Sequence, residues 1–153
     1  KGFNIDSATT VLVQSNENDP QIGFKKKLLK ITKECLEKGV EMARPGSTVG
    51  DIGSAIQKEA EKNGLTVIRD LVGHGIGKDL HEDPEVPNFG KSGRGLELKE
   101  GMVIAIEPML TVGSSEVFED KKTLAWKTKD GSLSAHFEHT VAITKNGPLI
   151  LTE

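Results

Sequence analysis

Cysteine is almost missing from this sequence, which has only Cys35 among its 153 residues. A disulfide framework within the chain is therefore excluded. Because chains without disulfides are typical of reducing compartments, we expect a cytoplasmic location. Cys35 falls on the apolar face of a predicted helix, where we interpret it as a small buried hydrophobic residue.

Long apolar runs and an excess of positive charge are also missing. The longest apolar stretches, such as residues 102–106, are far shorter than the roughly 20 residues of a membrane-spanning helix. The formal net charge is −3, so no basic surface indicates a nucleic-acid-binding protein. We therefore expect neither a membrane nor a nucleic acid among the partners of this chain.

The remaining pattern is typical of one α+β domain spanning residues 1–153, without repeats, low-complexity runs or linkers. Apolar residues at helical spacing predict a first helix over residues 24–42. Ser47 or Thr48 is expected to cap a second helix, with Asp51 in its first turn. Asn63-Gly64 is expected to end that helix.

Strands are predicted where β-branched residues or alternating apolar residues are frequent. The segments are residues 5–13, 65–72, 102–110, 123–127 and 133–144, with Glu107-Pro108 interrupting the third. The last two are expected to form a hairpin across Lys129-Asp130-Gly131. Residues 14–22 and 90–100 are predicted to be loops.

Three carboxylates stand where the surrounding pattern is apolar. Glu107 interrupts VIAIEPML, Glu138 lies in SAHFEHTVAIT, and Asp6 opens the stretch IDSATTVLV. Burial of a lone carboxylate costs several kcal/mol unless it is paired, protonated or bound to a cation. For each residue taken singly, an exposed strand end or a lysine partner explains the pattern equally well.

His74, between two glycines in GHGIGKDLHEDP, adds a nitrogen donor to these carboxylates. Three carboxylates cannot share a pocket without a cation, because like charges repel strongly at short range. Oxygen donors with one imidazole suit Mn, Fe, Co or Zn, whereas a structural zinc site would prefer cysteines. Together the four residues favour a divalent metal site.

Four segments resemble the signature segments of type I methionine aminopeptidases, in order and at suitable distances. They are GFNIDSATT, GHGIGKDLHEDPEVPNFG, LKEGMVIAIEPML and DGSLSAHFEHTVAIT. The resemblance covers essentially the whole chain and implies an α+β pita-bread fold with two divalent metal ions (Co, Mn, Fe or Zn). It also implies an activity, the removal of N-terminal methionine from peptides and nascent proteins by a hydroxide held at the dinuclear centre.

The resemblance implies metal-ligand roles for four residues of this chain. Two of them, Asp6 and Glu138, would bridge the ions, and the other two would complete one ion. The four residues are Asp6, His74, Glu107 and Glu138. His136 and His139, which flank Glu138, are interpreted as surrounding or surface residues rather than as ligands.

The same resemblance implies substrate contacts near the metal centre. His81 matches a histidine that contacts substrate and steadies the tetrahedral intermediate, although a plain surface histidine is the alternative. Glu107 is also a plausible proton carrier to the leaving amine. Leu80 and Trp126 are expected to line the methionine pocket. The family's pocket tryptophan aligns nearer Leu124, so simple hairpin packing remains open for Trp126.

One departure from the family concerns the segments upstream of Asp6. The family takes a further metal-ligand aspartate and a substrate-binding histidine from those segments, which have no counterpart here. We therefore expect an incomplete part of the pita-bread fold that holds at most one ion, with the upstream segment as a further partner. Apolar surface that this segment would cover is expected to be exposed.

Two other functions remain open from the sequence. A prolidase or Xaa-Pro aminopeptidase shares the GH and HExP arrangement, but FEHT with its single glutamate argues against it. The second alternative is a non-catalytic pita-bread binding module. Such proteins typically lose metal ligands, whereas this chain keeps all four that its length allows.

Overall fold

A computed structural model describes residues 2–13 and 19–152 of the chain. Within these residues, neither helix combines the length and apolar character that crossing a bilayer requires. The elements are β1 (Ser7–Ala8), α1 (Ile22–Met42), α2 (Val49–Lys62), β2 (Thr66–Val67), β3 (Gly73–Gly75), β4 (Glu82–Val86), β5 (Val103–Ile106), β6 (Met109–Thr111), β7 (Val117–Asp120), β8 (Ala125–Thr128), β9 (Ser134–His136), β10 (Glu138–Thr144) and β11 (Gly147–Ile150).

Helix α1 begins at Ile22, two residues before the predicted start, and ends at Met42 as predicted. Its buried side chains recur every three or four residues and pack against α2, while its lysines face outward. Cys35 is fully buried on this stripe, and burial raises the pKa of its thiol to about 12. The burial of Cys35 confirms the prediction of a small buried hydrophobic residue.

Helix α2 begins with a capping box, and Thr48 rather than Ser47 is its N-cap. The Thr48 hydroxyl accepts a hydrogen bond from the Asp51 N–H, and the Asp51 carboxylate accepts one from the Thr48 N–H. Asp51 also accepts hydrogen bonds from the Ser92 hydroxyl and the Gly93 N–H. These bonds, that from Ser92 above all, lower the pKa of Asp51 to about 2. The helix ends at Lys62, before the predicted Asn63-Gly64 stop.

The main sheet has six antiparallel strands in the order β1-β10-β5-β3-β4, with β11 also paired to β10. A three-stranded sheet, β2-β6-β9, and the two-stranded ribbon β7-β8 complete the strand pairing. The two helices pack on the main sheet through a core that includes Ile104, Ile106, Val141 and Ile143. Burial of this apolar face is the main stabilising contribution to the fold.

Strand β5 leads into β6, and β9 leads into β10. One antiparallel pairing therefore runs across both sheets. The register pairs Ile106 with His139 on one side of the junction and Met109 with His136 on the other. Between these two pairs, Glu107-Pro108 separates β5 from β6, and Phe137 separates β9 from β10. The sequence predicted the interruption at Glu107-Pro108. This junction places Glu107 directly opposite Glu138.

Two strand predictions are too long. Residues 5–13 contain only β1, because only Ser7 and Ala8 find ladder partners on β10, whose other end pairs with β11. Residues 65–72 contain only β2, and the separate strand β3 begins at Gly73. High β-propensity did not produce longer strands, since a strand extends only where a neighbour supplies hydrogen bonds. Residues 14–18 of the predicted loop lie outside the described residues.

The predicted hairpin across Lys129-Asp130-Gly131 is wrong. Strand β8 pairs with β7, a strand that the sequence analysis missed, and β9 pairs with β6. The Asp130 carboxylate accepts hydrogen bonds from the N–H groups of Ser114 and Ser132. Asp130 therefore ties a loop to the preceding segment instead of forming a tight turn between neighbouring strands.

Candidate metal centre

The centre is built around two glutamates that face each other at the sheet junction. Glu107 and Glu138 are 8% and 4% exposed, so water screens neither carboxylate well. Burial, followed by the negative charges of Glu107 and Asp6, raises the pKa of Glu138 to about 7. Two buried carboxylates that lie close together repel each other, so this arrangement calls for a cation or a bound proton.

His74 reaches the centre from the middle of β3, where its two glycine neighbours allow adjacent strands to come close. A Cβ at Gly73 would lie 2.2 Å from the Ala105 carbonyl oxygen, and one at Gly75 would lie 2.2 Å from that of Asp83. Only glycine fits such close backbone approach. The GHG sequence therefore serves to bring the His74 ring close to the carboxylates.

The His74 imidazole is oriented by its own backbone. Its Nδ1 donates to the Gly75 carbonyl oxygen at 2.9 Å. In the neutral ring, this bond places the lone pair on Nε2. Nε2 lies 3.5 Å from Glu107 Oε1. This is the tautomer and orientation that a metal-binding histidine requires.

Asp6 is held beside β10 by a reciprocal pair of hydrogen bonds with Thr140. The Asp6 N–H donates to the Thr140 hydroxyl at 2.8 Å, and that hydroxyl donates to the Asp6 carbonyl oxygen at 2.7 Å. Donor atoms of Asp6, His74 and Glu138 all lie within 4.8 Å of one another. The fold thus brings together side chains that are more than 130 residues apart in sequence.

His136 belongs to the cluster, although the sequence analysis placed it outside the ligand set. Its Nε2 lies 3.3 Å from Glu107 Oε2, and donor atoms of Glu107, His136 and Glu138 lie within 4.8 Å of one another. The signal for this was the spacing of His136 and Glu138, because residues two apart on a strand point to the same face. His139 points away, and its Nδ1 hydrogen-bonds the Thr152 hydroxyl.

His81 and Leu80 follow β3 at the edge of the centre. The ring centroids of His81 and His74 are 4.4 Å apart in an edge-on arrangement, and His81 itself is exposed. An exposed imidazole beside a buried one can contact a bound molecule without itself reaching the buried carboxylates. Leu80 is also exposed.

A cavity of about 270 Å³ opens beside His136. Its apolar lining includes Ile68, Leu71, Met109, Val117 and Trp126. Trp126 is 51% exposed, so part of its ring is free to contact a guest in this cavity. Leu124 lies outside the cavity, at a turn where its φ is +57°.

The donor chemistry fits a divalent ion. The buried Oε1 of Glu138 and the buried Nε2 of His136 have no hydrogen-bond partner in the described part of the chain. Buried polar atoms without partners are costly, and a cation among them removes that cost. Carboxylate oxygens with imidazole nitrogens are ligands that Mn, Fe, Co and Zn accept.

Comparison with known proteins agrees with this geometry. The model of Metallopeptidase family M24 matches residues 1–145. The chain belongs to metallopeptidase family M24. Membership of this family implies the use of a metal ion.

Curated relatives carry a more specific name. A methionine aminopeptidase of Aquifex aeolicus is 51% identical over 99% of this chain and 58% of its own length. One from Clostridium perfringens is 50% identical over 99% of the chain and 59% of its own length. The chain thus spans about three fifths of the length of these relatives. The resemblance to methionine aminopeptidases is confirmed.

Solved structures of the family agree on the fold. Methionine aminopeptidase from Rickettsia prowazekii superposes with a TM-score of 0.92 at 40% identity, covering 99% of this chain and 60% of that one. A prolidase from Pyrococcus horikoshii gives a TM-score of 0.73 at 28% identity, covering 99% of this chain and 37% of that one. The predicted α+β pita-bread fold is confirmed, and the chain corresponds to part of it.

Proposed function

We propose that this protein is a metal-dependent aminopeptidase that removes the N-terminal methionine of peptides and nascent proteins. Residues 1–153 would act as one catalytic domain. The main observation in support is the pair of buried glutamates, Glu107 and Glu138, which the fold brings together with Asp6 and His74. A cytoplasmic location stays a prediction from the single cysteine.

Asp6, His74, Glu107 and Glu138 are proposed as the ligands of divalent ions, with Co, Mn, Fe and Zn as the metals that their donor atoms suit. When bound, such ions supply an activated water molecule and stabilise negative charge that develops on the peptide carbonyl oxygen. The upstream aspartate that the family resemblance implies is not part of this ligand set.

Glu107 and His81 are proposed as the residues that act directly in catalysis. Glu107 lies between two imidazoles, with Oε1 near His74 and Oε2 near His136, so its carboxylate is held in one orientation. From there it can accept a proton from the attacking water and pass it to the leaving amine. His81, exposed beside His74, would hydrogen-bond the peptide at the cleaved bond.

The cavity beside His136 is proposed to hold the methionine side chain of the substrate. Its lining combines aliphatic groups, Met109 and the Trp126 ring with polar residues such as Lys127 and Thr128. A thioether packs favourably at an aromatic ring edge, with a contribution of about 0.3–1.5 kcal/mol. Leu80 stays a predicted wall on the His81 side.

A peptide assay tests this function. In the presence of Mn²⁺ or Co²⁺, the protein is expected to release methionine from a Met-Ala peptide but not to cleave an Xaa-Pro peptide. Addition of a chelator should stop the release. A matched E107Q variant, which keeps the shape of the side chain, should lose activity. Cleavage of only the Xaa-Pro peptide would instead support a prolidase-like enzyme, the function that the sequence left as an alternative.

A further inference from the structure

The donor atoms of the centre form two sets that share Glu138. One set is Asp6, His74 and Glu138, and the other is Glu107, His136 and Glu138. Each set contains one imidazole and two carboxylates. We propose that His136 is itself a metal ligand, and that its Nε2 binds a divalent ion together with Glu107 and Glu138.

The contact between His136 and Glu107 has the features of two ligands of one ion rather than of a hydrogen bond. Nε2 of His136 lies 3.3 Å from Glu107 Oε2, yet it has no hydrogen-bond partner in the described part of the chain. Donor atoms about 2.1 Å from one tetrahedral ion stand roughly 3.4 Å apart. The two atoms therefore have a separation that fits a shared ion.

A second, independent observation comes from Glu138. This residue is 4% exposed, and its Oε1 is buried without a hydrogen-bond partner in the described residues. Glu138 has a second oxygen, and a carboxylate can bind two ions at once. Glu138 belongs to both donor sets, and its two oxygens allow it to serve the ion that His136 and Glu107 would hold as well as the other ion.

Hydrogen bonds hold the backbone of His136 in place. The His136 N–H donates to the Thr10 hydroxyl at 3.0 Å, and that hydroxyl donates to the His136 carbonyl oxygen at 2.8 Å. The pairing of Met109 with His136 holds the other edge of the strand. This is the same reciprocal arrangement that Thr140 makes with Asp6, so both ligand sets have a fixed backbone support.

The proposal rests on the proposed function only in that both require a divalent ion. It differs from the expectation of one ion, because the residues of this chain would then supply donor sets for two. It also changes the role of His136 from an outer residue that orients Glu107 to a direct ligand.

Nitrogen-15 NMR of the histidine side chains, during titration with Zn²⁺, tests the proposal directly. The chain has only four histidines, so single substitutions assign their signals. We expect the Nε2 signals of His74 and His136 to move on zinc binding, because each Nε2 would donate its lone pair to an ion. The signals of His139, whose ring faces Thr152, should not move, and H139Q provides the matched control.

Each outcome of the titration decides the proposal. A shift of His74 without a shift of His136 overturns the proposal and leaves the metallopeptidase function intact. A shift of neither ring overturns both. The zinc response is measured on the unaltered chain, and the substituted proteins serve only to assign the signals.

Equilibrium dialysis against Zn²⁺ gives a second measurement. The H136A variant should retain one ion fewer per chain than the unaltered protein, while His74 still shows its zinc-dependent shift. A residue that only hydrogen-bonds a metal ligand, without binding the ion itself, typically changes metal affinity by about 10–100-fold when it is removed. Unchanged stoichiometry and unchanged affinity in H136A would contradict direct ligation.

Discussion

Glu107 and Glu138 oppose each other at the junction of two sheets, where the strand register fixes them. Without a cation, the charged form of Glu138 is disfavoured because burial and the two neighbouring carboxylates raise its pKa to about 7. A glutamate with a raised pKa contributes stability at low pH, and that contribution is lost as the pH rises through the folded-state pKa. At the residue scale, the metal site is therefore a source of strain when metal-free.

This strain leads to a prediction for E138Q in the presence of a chelator. The amide carries no charge, so the variant should be more stable than the unaltered protein at pH 9, by on the order of 1 kcal/mol, the scale of one pKa unit. At pH 5 the gain should disappear, because Glu138 is then protonated. Thermal unfolding at both pH values measures the difference. An equal effect at both pH values would mean that charge is not its cause.

Trp126 provides a second prediction at this scale. If its ring contacts the methionine side chain, W126A should lower kcat/KM for a Met-Ala peptide about tenfold, mainly by raising KM. A tenfold change corresponds to about 1.4 kcal/mol of lost transition-state stabilisation. Phe118 has similar exposure on the neighbouring strand and lies outside the cavity lining. F118A is therefore the matched control, and an equal loss in both variants would argue against a specific contact with Trp126.

At the scale of elements, the N-terminus of α2 depends on one side chain. The sequence left Ser47 and Thr48 as alternative caps, and the structure has the Thr48 hydroxyl accepting the Asp51 N–H. T48A should therefore lower the free energy of unfolding by about 1 kcal/mol, the usual cost of losing such a cap. Chemical denaturation measures this value. S47A is the control and should change stability by less than about 0.5 kcal/mol.

Asp51 makes the same helix end sensitive to acid. Hydrogen bonds from Ser92 and Thr48 lower the pKa of Asp51 to about 2. An aspartate with a lowered pKa stabilises the fold above its unfolded-state pKa, about 3.9, and loses that contribution as the pH falls toward the folded-state value. D51N should therefore show a smaller loss of stability than the unaltered protein between pH 4 and pH 2. Parallel curves for the two proteins would rule out this contribution.

The helices and the centre of the site could be predicted from sequence because their signals are local. Helical spacing gave α1 and α2 within two residues, and charged residues in apolar strands indicated Glu107 and Glu138. Strand lengths could not be predicted, since residues 5–13 pair only where β10 has a free edge. The contact of His136 with Glu107 could not be predicted, because it depends on a register formed by strands distant in sequence.

For the whole molecule, the segment before α1 exposes several apolar side chains. Phe3, Ile5, Val11 and Val13 are 60–82% exposed. Apolar groups concentrated in this way favour association. Sedimentation velocity should therefore show concentration-dependent self-association, reduced in a V11S/V13S variant. L149S, which removes one exposed apolar residue from another strand, should leave it unchanged. A protein that remains monomeric at high concentration would contradict this prediction.

The two threonine pairs have a consequence for the behaviour of the chain as a whole. Thr140 hydrogen-bonds the backbone of Asp6, and Thr10 hydrogen-bonds the backbone of His136. Together with the short β1–β10 pairing, these bonds hold the first described segment against the last third of the chain, next to the metal centre. Coupled binding free energies are reciprocal. If the docking of residues 2–13 on β10 raises the affinity for the ion by some factor, binding of the ion favours that docking by the same factor. Protection of residues 2–13 from a protease should therefore report metal occupancy, rising and falling with free zinc at the concentration where the site fills.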